Sequence, residues 1–235
     1  MKNIDLKFLK IEAADNSSRY RMAFIKYKGY PFKMKTDFIK ISKYDIVKYD
    51  QNLYVKFYLD INNETTKPFI THLKEMDEHF SRQGLIKDCF GRKQTYNYKP
   101  IIREESRFPN SISLKMKIKL NEAATTIIRN ATTIIRDGKK IPITTEDDLV
   151  QNLRPNSSIK ISYTYSSIIM TGHYYSVENC HYHLTLTINQ IEIDTPCFQN
   201  ADWKLVLDLH SIKKTYRKFM VEQKERILDC SIIEV

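Results

Sequence analysis

Two segments of the chain alternate strictly between apolar and other side chains, which is the pattern of a β-strand with one buried face. In NLYVKFYLDI, residues 52–61, the side chains predicted to be buried are Leu53, Val55, Phe57, Leu59 and Ile61. In SISLKMKIKL, residues 111–120, they are Ile112, Leu114, Met116, Ile118 and Leu120. A period of two does not suit a helix, so both segments require a β-sheet at the centre of the fold.

The outward faces of these two strands are basic and aromatic. They carry Tyr54, Lys56 and Tyr58 on the first strand and Lys115, Lys117 and Lys119 on the second. Side chains on one strand face repeat every ~7 Å, close to the phosphate repeat of an extended single strand of nucleic acid. A groove for single strands needs positive charge for phosphates and aromatic rings for bases, and these faces offer both. Solvated lysines that protect a sheet from aggregation are the alternative interpretation.

Other segments add candidate contacts of the same kind. Lys33 and Lys35 share a face of an earlier predicted strand, and Lys160 points outward from a later one. Tyr174 and Tyr175 are predicted to lie at the tip of a hairpin, where exposed rings are candidates for stacking on bases. Together with the two faces described above, these residues form the predicted nucleic-acid-binding surface.

The composition of the 235-residue chain suits a folded protein that binds a polyanion. The formal net charge is +10, and 15 Tyr and 11 Phe accompany a single Trp. A disordered basic tail would lack these aromatic residues. An AT-rich genome, which favours Lys, Ile, Asn and Tyr, explains the same composition without any polyanion.

The sequence patterns of common catalytic and cofactor sites are missing. The chain has only five glycines, too few to build a phosphate-binding loop or a dinucleotide fingerprint, and it has no G-x-S-x-G elbow. We therefore predict no catalytic residue and no cofactor. A Mg²⁺-dependent nuclease is the enzyme alternative. The acidic pairs Glu104–Glu105 and Asp147–Asp148 are better explained as loop charge and as helix N-terminal charge.

Cys180, His181 and His183 form the one group that requires a test for Zn²⁺ binding. The two histidines share a strand face, but the short ligand spacing of structural zinc sites is missing. We therefore predict no metal. The chain starts without a long apolar segment and has no run of about 18 apolar residues, so neither export nor a membrane span is predicted. Its four scattered cysteines predict reduced thiols in an intracellular location.

The period changes to that of a helix over residues 66–84. Thr66 and the following proline predict its start, apolar side chains recur at helical spacing, and Gly84 predicts its end. Residues 87–110 are predicted to form a long loop with a short strand near Ile101.

The second half contains further strands, a short helix capped by Thr144 or Thr145, and a bulge near Asn189, where the apolar phase shifts. A helical stripe follows in residues 201–235. The predicted fold is thus mainly β with helices, an OB-fold-like antiparallel Greek-key barrel with an inserted helix. Residues 1–200 are predicted to form the nucleic-acid-binding domain and residues 201–235 a C-terminal helical extension.

Three segments carry a family resemblance: SLKMKIKL, TTIIRDGKKIPI and LRPNSSIKISYTYSSIIMTGHYYSVENCHYHLTLTINQIEI. They resemble the C-terminal core of replicative single-stranded-DNA-binding proteins. The similarity is to those of nucleocytoplasmic large DNA viruses, of the virus-like cytoplasmic linear plasmids of yeasts and, more remotely, of T7-like phages. It covers residues 110–193 and implies an OB-fold that coats single-stranded DNA during replication, without catalytic residues.

The resemblance supports the Lys115, Lys117 and Lys119 face and the hairpin at Tyr174, and it does not reach the strand at Tyr54. It also implies a cytoplasmic location and other replication proteins as partners. Two hypotheses from the residues alone stay open beside it. One is a single-stranded-RNA-binding protein of the same fold. The other is a structural or scaffold protein that assembles, as a homo-oligomer, through its C-terminal helix.

Overall fold

The structure is a computed structural model that describes residues 4–14, 21–49, 52–91, 95–121, 132–171 and 180–194. All of them lie within one unit, Met1–Asp194. The strands are β1 (Leu9–Ala13), β2 (Met22–Tyr27), β3 (Tyr30–Lys35), β4 (Ile39–Lys40), β5 (Lys43–Tyr49), β6 (Asn52–Asp60), β7 (Tyr96–Lys99), β8 (Ile102–Glu104), β9 (Ser111–Ile118), β10 (Thr133–Arg136), β11 (Lys139–Pro142), β12 (Ser158–Thr171) and β13 (Cys180–Asp194). A 3-10 turn covers Leu6–Phe8, and the α-helices are α1 (Lys67–Ser81), α2 (Gln83–Phe90) and α3 (Glu146–Asn152).

Strand β13 is the centre of the sheet because it pairs along both of its edges. Strand β12 runs antiparallel to it along one edge. Strands β7, β9 and β10 pair in parallel with successive parts of the other edge. A strand of 15 residues is about 50 Å long, so several short strands are needed to satisfy that second edge.

The thirteen strands form one sheet whose main path is β1–β2–β3–β12–β13–β9–β6–β5. The predicted class, mainly β with helices, is confirmed. Two details of the predicted antiparallel barrel differ. Strand β13 has three parallel partners, and β1 and β5 are the two ends of the path within the described residues rather than neighbours. Alternation along a strand reveals which side chains are buried but not which strand lies beside it.

The pairing of β12 with β13 shifts register twice. Asn189 is the extra residue on β13, which confirms the bulge predicted there, and Ser166 is the extra residue on β12. The Asn189 amide donates a hydrogen bond to Thr164 Oγ1 at 2.9 Å, and Ser166 Oγ donates to the carbonyl oxygen of Thr185 at 2.8 Å. Bulges redirect side chains locally, and here both lie on the face of the sheet that carries the lysines.

Helix α1 covers the apolar face of the sheet. As predicted from alternation, Leu53, Val55, Phe57 and Leu59 are buried, as are Ile112, Leu114, Met116 and Ile118. Tyr165 on β12 is fully buried, and its hydroxyl forms a 3.0 Å hydrogen bond with Nε2 of His72 on α1. The prediction for Ile61 was wrong. Its side chain is 37% exposed because β6 ends at Asp60 and Ile61 lies in the following turn.

The predicted helix at 66–84 begins as expected after Thr66 but ends earlier. The backbone is extended at Arg82, and Gly84 lies inside the second helix, α2, instead of ending the first. The predicted loop at 87–110 was partly wrong, because it contains the end of α2 and the strand β7, whereas β8 confirms the short strand predicted near Ile101. These strands have four and three residues, too few to show a period.

Helix α3 confirms the predicted short helix, and Thr145 is its N-cap. The Thr145 hydroxyl accepts a hydrogen bond from the Asp148 backbone N–H, and Asp148 accepts one from the Thr145 backbone N–H. The predicted extension at 201–235 lies outside the described residues. Within the described part of the chain, no helix is long and apolar enough to cross a membrane.

Candidate nucleic-acid interface

One row of side chains crosses six neighbouring strands on the face of the sheet opposite α1. From β5 to β3, its members are Val47, Tyr54, Lys117, Thr187, Thr164 and Lys33. Residues that pair directly across strands point to the same side of a sheet, so this register places the predicted contacts of β3, β6 and β9 on one surface. Four strand spacings separate Tyr54 from Lys33, about 19 Å along the sheet.

We call this surface the basic face. The lysines of the basic face lie in this row or within four residues of it along the chain. They are Lys33, Lys35, Lys56, Lys115, Lys117, Lys119 and Lys160. The strands therefore bring together all the lysines that the sequence predicted as contacts. The pairing of Lys56 with Lys115 and of Tyr54 with Lys117 joins the two outward faces that alternation identified separately.

Two of these lysines, Lys35 and Lys56, form ion pairs with carboxylates, and Lys160 lies beside an aromatic ring. Lys35 Nζ lies 3.3 Å from a carboxylate oxygen of Glu192, and Lys56 Nζ lies 2.5 Å from one of Glu105. Hydrogen bonds from Lys56 and Ser113 hold the pKa of Glu105 below its ordinary value. Lys160 Nζ lies 4.9 Å from the centroid of the Phe38 ring.

The other four lysines of the basic face are not neutralised by a described carboxylate, although Lys115 also lies beside aromatic rings. Among the described residues, no carboxylate lies within ion-pair distance of Lys33, Lys115, Lys117 or Lys119. Partial desolvation by neighbouring atoms lowers the pKa of Lys115, although its side chain is exposed, and the charge of Arg103 lowers it further. Burial and the charge of Lys119 act in the same way on the pKa of Lys117. Each of these positive charges disfavours the protonated form of its neighbour. An anion bound between two such lysines stabilises the protonated forms of both.

A cavity of about 400 Å³ opens on the β3 side of the row, and we call it the Lys33 groove. Lys33 and Lys119 stand on its walls with Phe24 of β2, whose ring is 45% exposed. The two bulge residues, Ser166 and Asn189, also line it. The backbone N–H of Lys119 donates to Thr132 Oγ1 at 3.1 Å, and Thr132 Oγ1 donates to the Ile188 carbonyl, so Lys119 is tied to β13 beside the bulge.

A second cavity, of about 380 Å³, opens around Lys115 of β9, and we call it the Lys115 cavity. It brings together basic or titratable side chains from four strands: Lys99 of β7, Arg103 of β8, Lys115 of β9 and His183 of β13. Tyr49 of β5 forms part of its wall and is 54% exposed. Each cavity thus combines basic side chains with one exposed aromatic ring.

Tyr54 is half-buried and belongs to a cluster around Lys115. The Lys115 ammonium lies 5.0 Å from the centroid of the Tyr54 ring and 4.7 Å from that of Tyr49. The two rings meet edge to face at 5.8 Å. The Lys115 ammonium therefore contacts two aromatic rings, and such cation–π contacts are attractive.

Tyr58 does not take the outward position predicted for it. Its side chain is only 5% exposed, and its hydroxyl donates a 2.6 Å hydrogen bond to a carboxylate oxygen of Asp45. The Phe108 ring packs against it edge to face at 5.3 Å. Alternation placed Tyr58 on the correct face, but the segment after β8 folds over that end of the face and covers the ring.

We expect Tyr58→Ala to lower the free energy of unfolding by about 3 to 5 kcal/mol, because it removes a buried aromatic ring. Tyr58→Phe keeps the ring and loses the interactions of the hydroxyl with Asp45 and Lys56, which costs about 1.5 to 3 kcal/mol. Urea denaturation followed by circular dichroism measures both losses. If Tyr58→Phe left stability unchanged and weakened oligonucleotide binding tenfold, the Tyr58 hydroxyl would contact the DNA after all.

No family model matches the chain, and no curated protein matches it. Among solved structures, the chain is similar to gp2.5, a single-stranded DNA-binding protein of bacteriophage T7, with 10% identity, a TM-score of 0.40, and coverage of 74% of this chain and 93% of that chain. It is also similar to the single-stranded DNA-binding protein of bacteriophage Enc34, with 8% identity, a TM-score of 0.43, and coverage of 82% and 95%. These TM-scores are low and identify no binding residue in this chain.

Two other predictions concern residues around β13. Tyr174 and Tyr175 lie outside the described residues, so their role as stacking residues stays a prediction. Cys180, His181 and His183 were tested as a metal site. Within the described ranges, no group of three or more His, Cys, Asp or Glu side chains could hold a metal ion.

Several residues of the two cavities were missed by sequence reasoning. Phe24 and Lys26 share the outer face of β2, on either side of the buried Ile25. The same period of two that identified Tyr54 would therefore have identified Phe24. Lys99 and Arg103 lie in the segment that was read as a loop. His183 was considered only as a metal ligand, and nothing in the sequence placed it beside Arg103.

Proposed function

We propose that this protein is a non-catalytic single-stranded-DNA-binding protein and that the basic face holds the DNA. One observation carries the proposal: four lysines without a carboxylate partner stand between two cavities, each with an exposed aromatic ring on its wall. Lysines suit phosphates, and exposed rings suit bases that are free to stack. Most duplex-reading proteins insert a helix into the major groove, whereas this face is built of strands.

A continuous path exists for an extended strand across the sheet. Lys33 and Lys119 flank the Lys33 groove, Lys117 lies in the middle of the row, and Lys115 opens onto the second cavity. Bases on one side of a backbone that follows these lysines reach Phe24 at one end and Tyr49 at the other. The stacked base pairs of a duplex cannot offer ring faces in this way, which favours single strands.

The proposal extends to a role in DNA replication. Kinship with the replicative proteins of large DNA viruses and of yeast linear plasmids, recruitment of other replication proteins and a cytoplasmic location rest on the sequence resemblance. Self-association through residues 201–235 rests on the apolar stripe in that segment. None of these parts is needed for the basic face to bind DNA.

Fluorescence anisotropy with labelled dT oligonucleotides and with duplexes of equal length tests the proposal. We expect the dT oligonucleotide to bind at least about tenfold more tightly than the duplex. If Lys33, Lys115, Lys117 and Lys119 each contact a phosphate, the logarithm of the association constant K should fall with the logarithm of the salt concentration at a slope of about −3. Equal affinity for duplex, or no dependence on salt, would contradict the proposal.

The same titration separates the rival functions. Tighter binding of rU than of dT would identify an RNA-binding protein. Mg²⁺-dependent loss of the labelled strand would identify a nuclease. Absence of binding to any oligonucleotide, together with light scattering that shows assembly, would favour the scaffold alternative.

A further inference from the structure

Resting on the proposed function, we propose that the Lys115 cavity is a phosphodiester subsite in which His183 takes up a proton when single-stranded DNA binds. DNA affinity would then depend on pH through this one side chain. The inference starts from the composition of the cavity, which gathers basic side chains from strands far apart in the sequence.

The Lys115 cavity has more basic than acidic side chains on its wall, so its positive charge is only partly neutralised by its own carboxylates. Besides His183, six charged side chains and the hydroxyl-bearing Tyr49 line the cavity; the charged ones are Lys56, Lys99, Arg103, Glu104, Glu105 and Lys115. The Glu105 carboxylate forms an ion pair with Lys56 at 2.5 Å. Three cations therefore face one remaining carboxylate, that of Glu104, before His183 is counted.

His183 is held next to these cations by the sheet. It pairs in register with Lys99 of the parallel strand β7, and on the other side it faces the apolar Ile169 of β12. Within the described part of the chain, neither ring nitrogen of His183 has a hydrogen-bond partner. An imidazole with two unused nitrogens on the wall of a basic cavity is available to donate to a phosphate oxygen.

The electrostatics agree with this geometry. Burial lowers the pKa of His183, and the charges of Lys115, Lys99 and Arg103 lower it further. At neutral pH, the free protein therefore holds His183 in its neutral form. A phosphate in the cavity supplies the opposite charge, which favours the protonated form and raises the pKa in the complex.

The sign of the pH effect follows from this difference. Above the pKa of His183 in the complex, the ring is neutral in both states and affinity does not depend on pH. Between that pKa and the lower one of the free protein, binding takes up a proton, so affinity rises as pH falls. Below the lower pKa, the ring is charged in both states and the dependence ends.

The salt dependence provides a specific measurement of the extra contact. One additional cation–phosphate contact steepens the slope of log K against log salt by about 0.7, which corresponds to about fivefold tighter binding at 0.1 M salt. Binding of dT oligonucleotides should therefore be about fivefold tighter, with the steeper slope, at about pH 5.5 than at about pH 8. Thymine does not titrate in this range, so the DNA contributes no proton of its own.

His183→Gln should abolish both differences, so that its affinity and its salt slope are the same at about pH 5.5 and at about pH 8. His181→Gln is the matched control, because it removes a histidine from the same face of the same strand and should keep both differences. NMR titration of the His183 ring in the unaltered protein, with and without dT oligonucleotide, should show the higher pKa in the complex.

The outcomes are distinguishable. If dT does not bind at either pH, the proposed function fails. If dT binds but the pH dependence is absent, persists in His183→Gln, or disappears in His181→Gln, only the protonation of His183 is overturned. An unchanged pKa of His183 in the NMR titration would overturn it as well, even if the variant failed to fold.

Discussion

Exchange of Lys115, Lys117 and Lys119 for glutamine is expected to weaken binding of single-stranded DNA about 100-fold at 0.1 M salt. Three phosphate contacts contribute a salt slope of about −2, and a slope of that size corresponds to this loss. Glutamine keeps most of the length of the side chain and removes only the charge. Anisotropy titrations at three or more salt concentrations would measure both the affinity and the reduced slope.

A control variant with the same loss of charge separates contact from net charge. Lys67, Lys74 and Arg82 lie on or next to α1, which covers the opposite face of the sheet, and all three are exposed. Their exchange for glutamine lowers the net charge equally. It should reduce affinity by no more than about threefold through the weaker overall field. If the two triple variants lost the same affinity, the basic face would not be the binding surface.

Replacement of Phe24 and Tyr49 by alanine is expected to have the next largest effect. Stacking of a base on an aromatic ring contributes about 1 to 3 kcal/mol, so the double variant should bind dT at least about 30-fold more weakly. No charge is removed, so the salt slope should stay that of the unaltered protein. This combination, a large loss with an unchanged slope, distinguishes stacking from phosphate contact.

Tyr30→Ala is the control for the aromatic residues. Tyr30 is 75% exposed, the largest value among the exposed large hydrophobic side chains in the described ranges, and it lines neither cavity. Its loss should leave affinity unchanged within about twofold. Phe24→Tyr, which preserves a ring at the wall of the Lys33 groove, should retain most of the affinity. Weak binding by Phe24→Tyr and by Tyr30→Ala alike would contradict a stacking role for Phe24.

The structure changes which tyrosine can test the proposed surface. A variant at Tyr54 and Tyr58 together would confuse binding with folding, because Tyr58 is buried and bonded to Asp45. Tyr54 is half-buried beneath the Lys115 ammonium, so part of its effect would come from the altered position of that charge. Phe24 avoids both complications because its ring is exposed and lies in the other cavity. Tyr49 is exposed as well, but its ring lies 4.7 Å from the Lys115 ammonium, so the single variant Phe24→Ala tests stacking more directly.

Local pattern was a reliable guide where the backbone alone sets the direction of a side chain. Along β9, successive Cβ atoms must point to opposite faces, and Leu114 and Met116 are buried as predicted while Lys115 is exposed. The same reasoning located the bulge at Asn189, since an extra residue necessarily shifts the apolar phase. It failed at Gly84, because a single residue cannot reveal that a second helix follows the first.

The sequence by itself determined that the chain forms a sheet with one apolar and one basic face, because period-two geometry is a property of the backbone. It could not determine that Arg103, Lys115 and His183 line one cavity, or that Lys33 and Lys119 share another. Those groupings depend on which strands pair and in which register, as does the cover over Tyr58. Strand pairing places residues that are distant in the sequence side by side. Thr164, for example, pairs with Lys33 on one side and with Thr187 on the other. Only the tertiary structure decides this pairing, because no local pattern carries information about a distant partner.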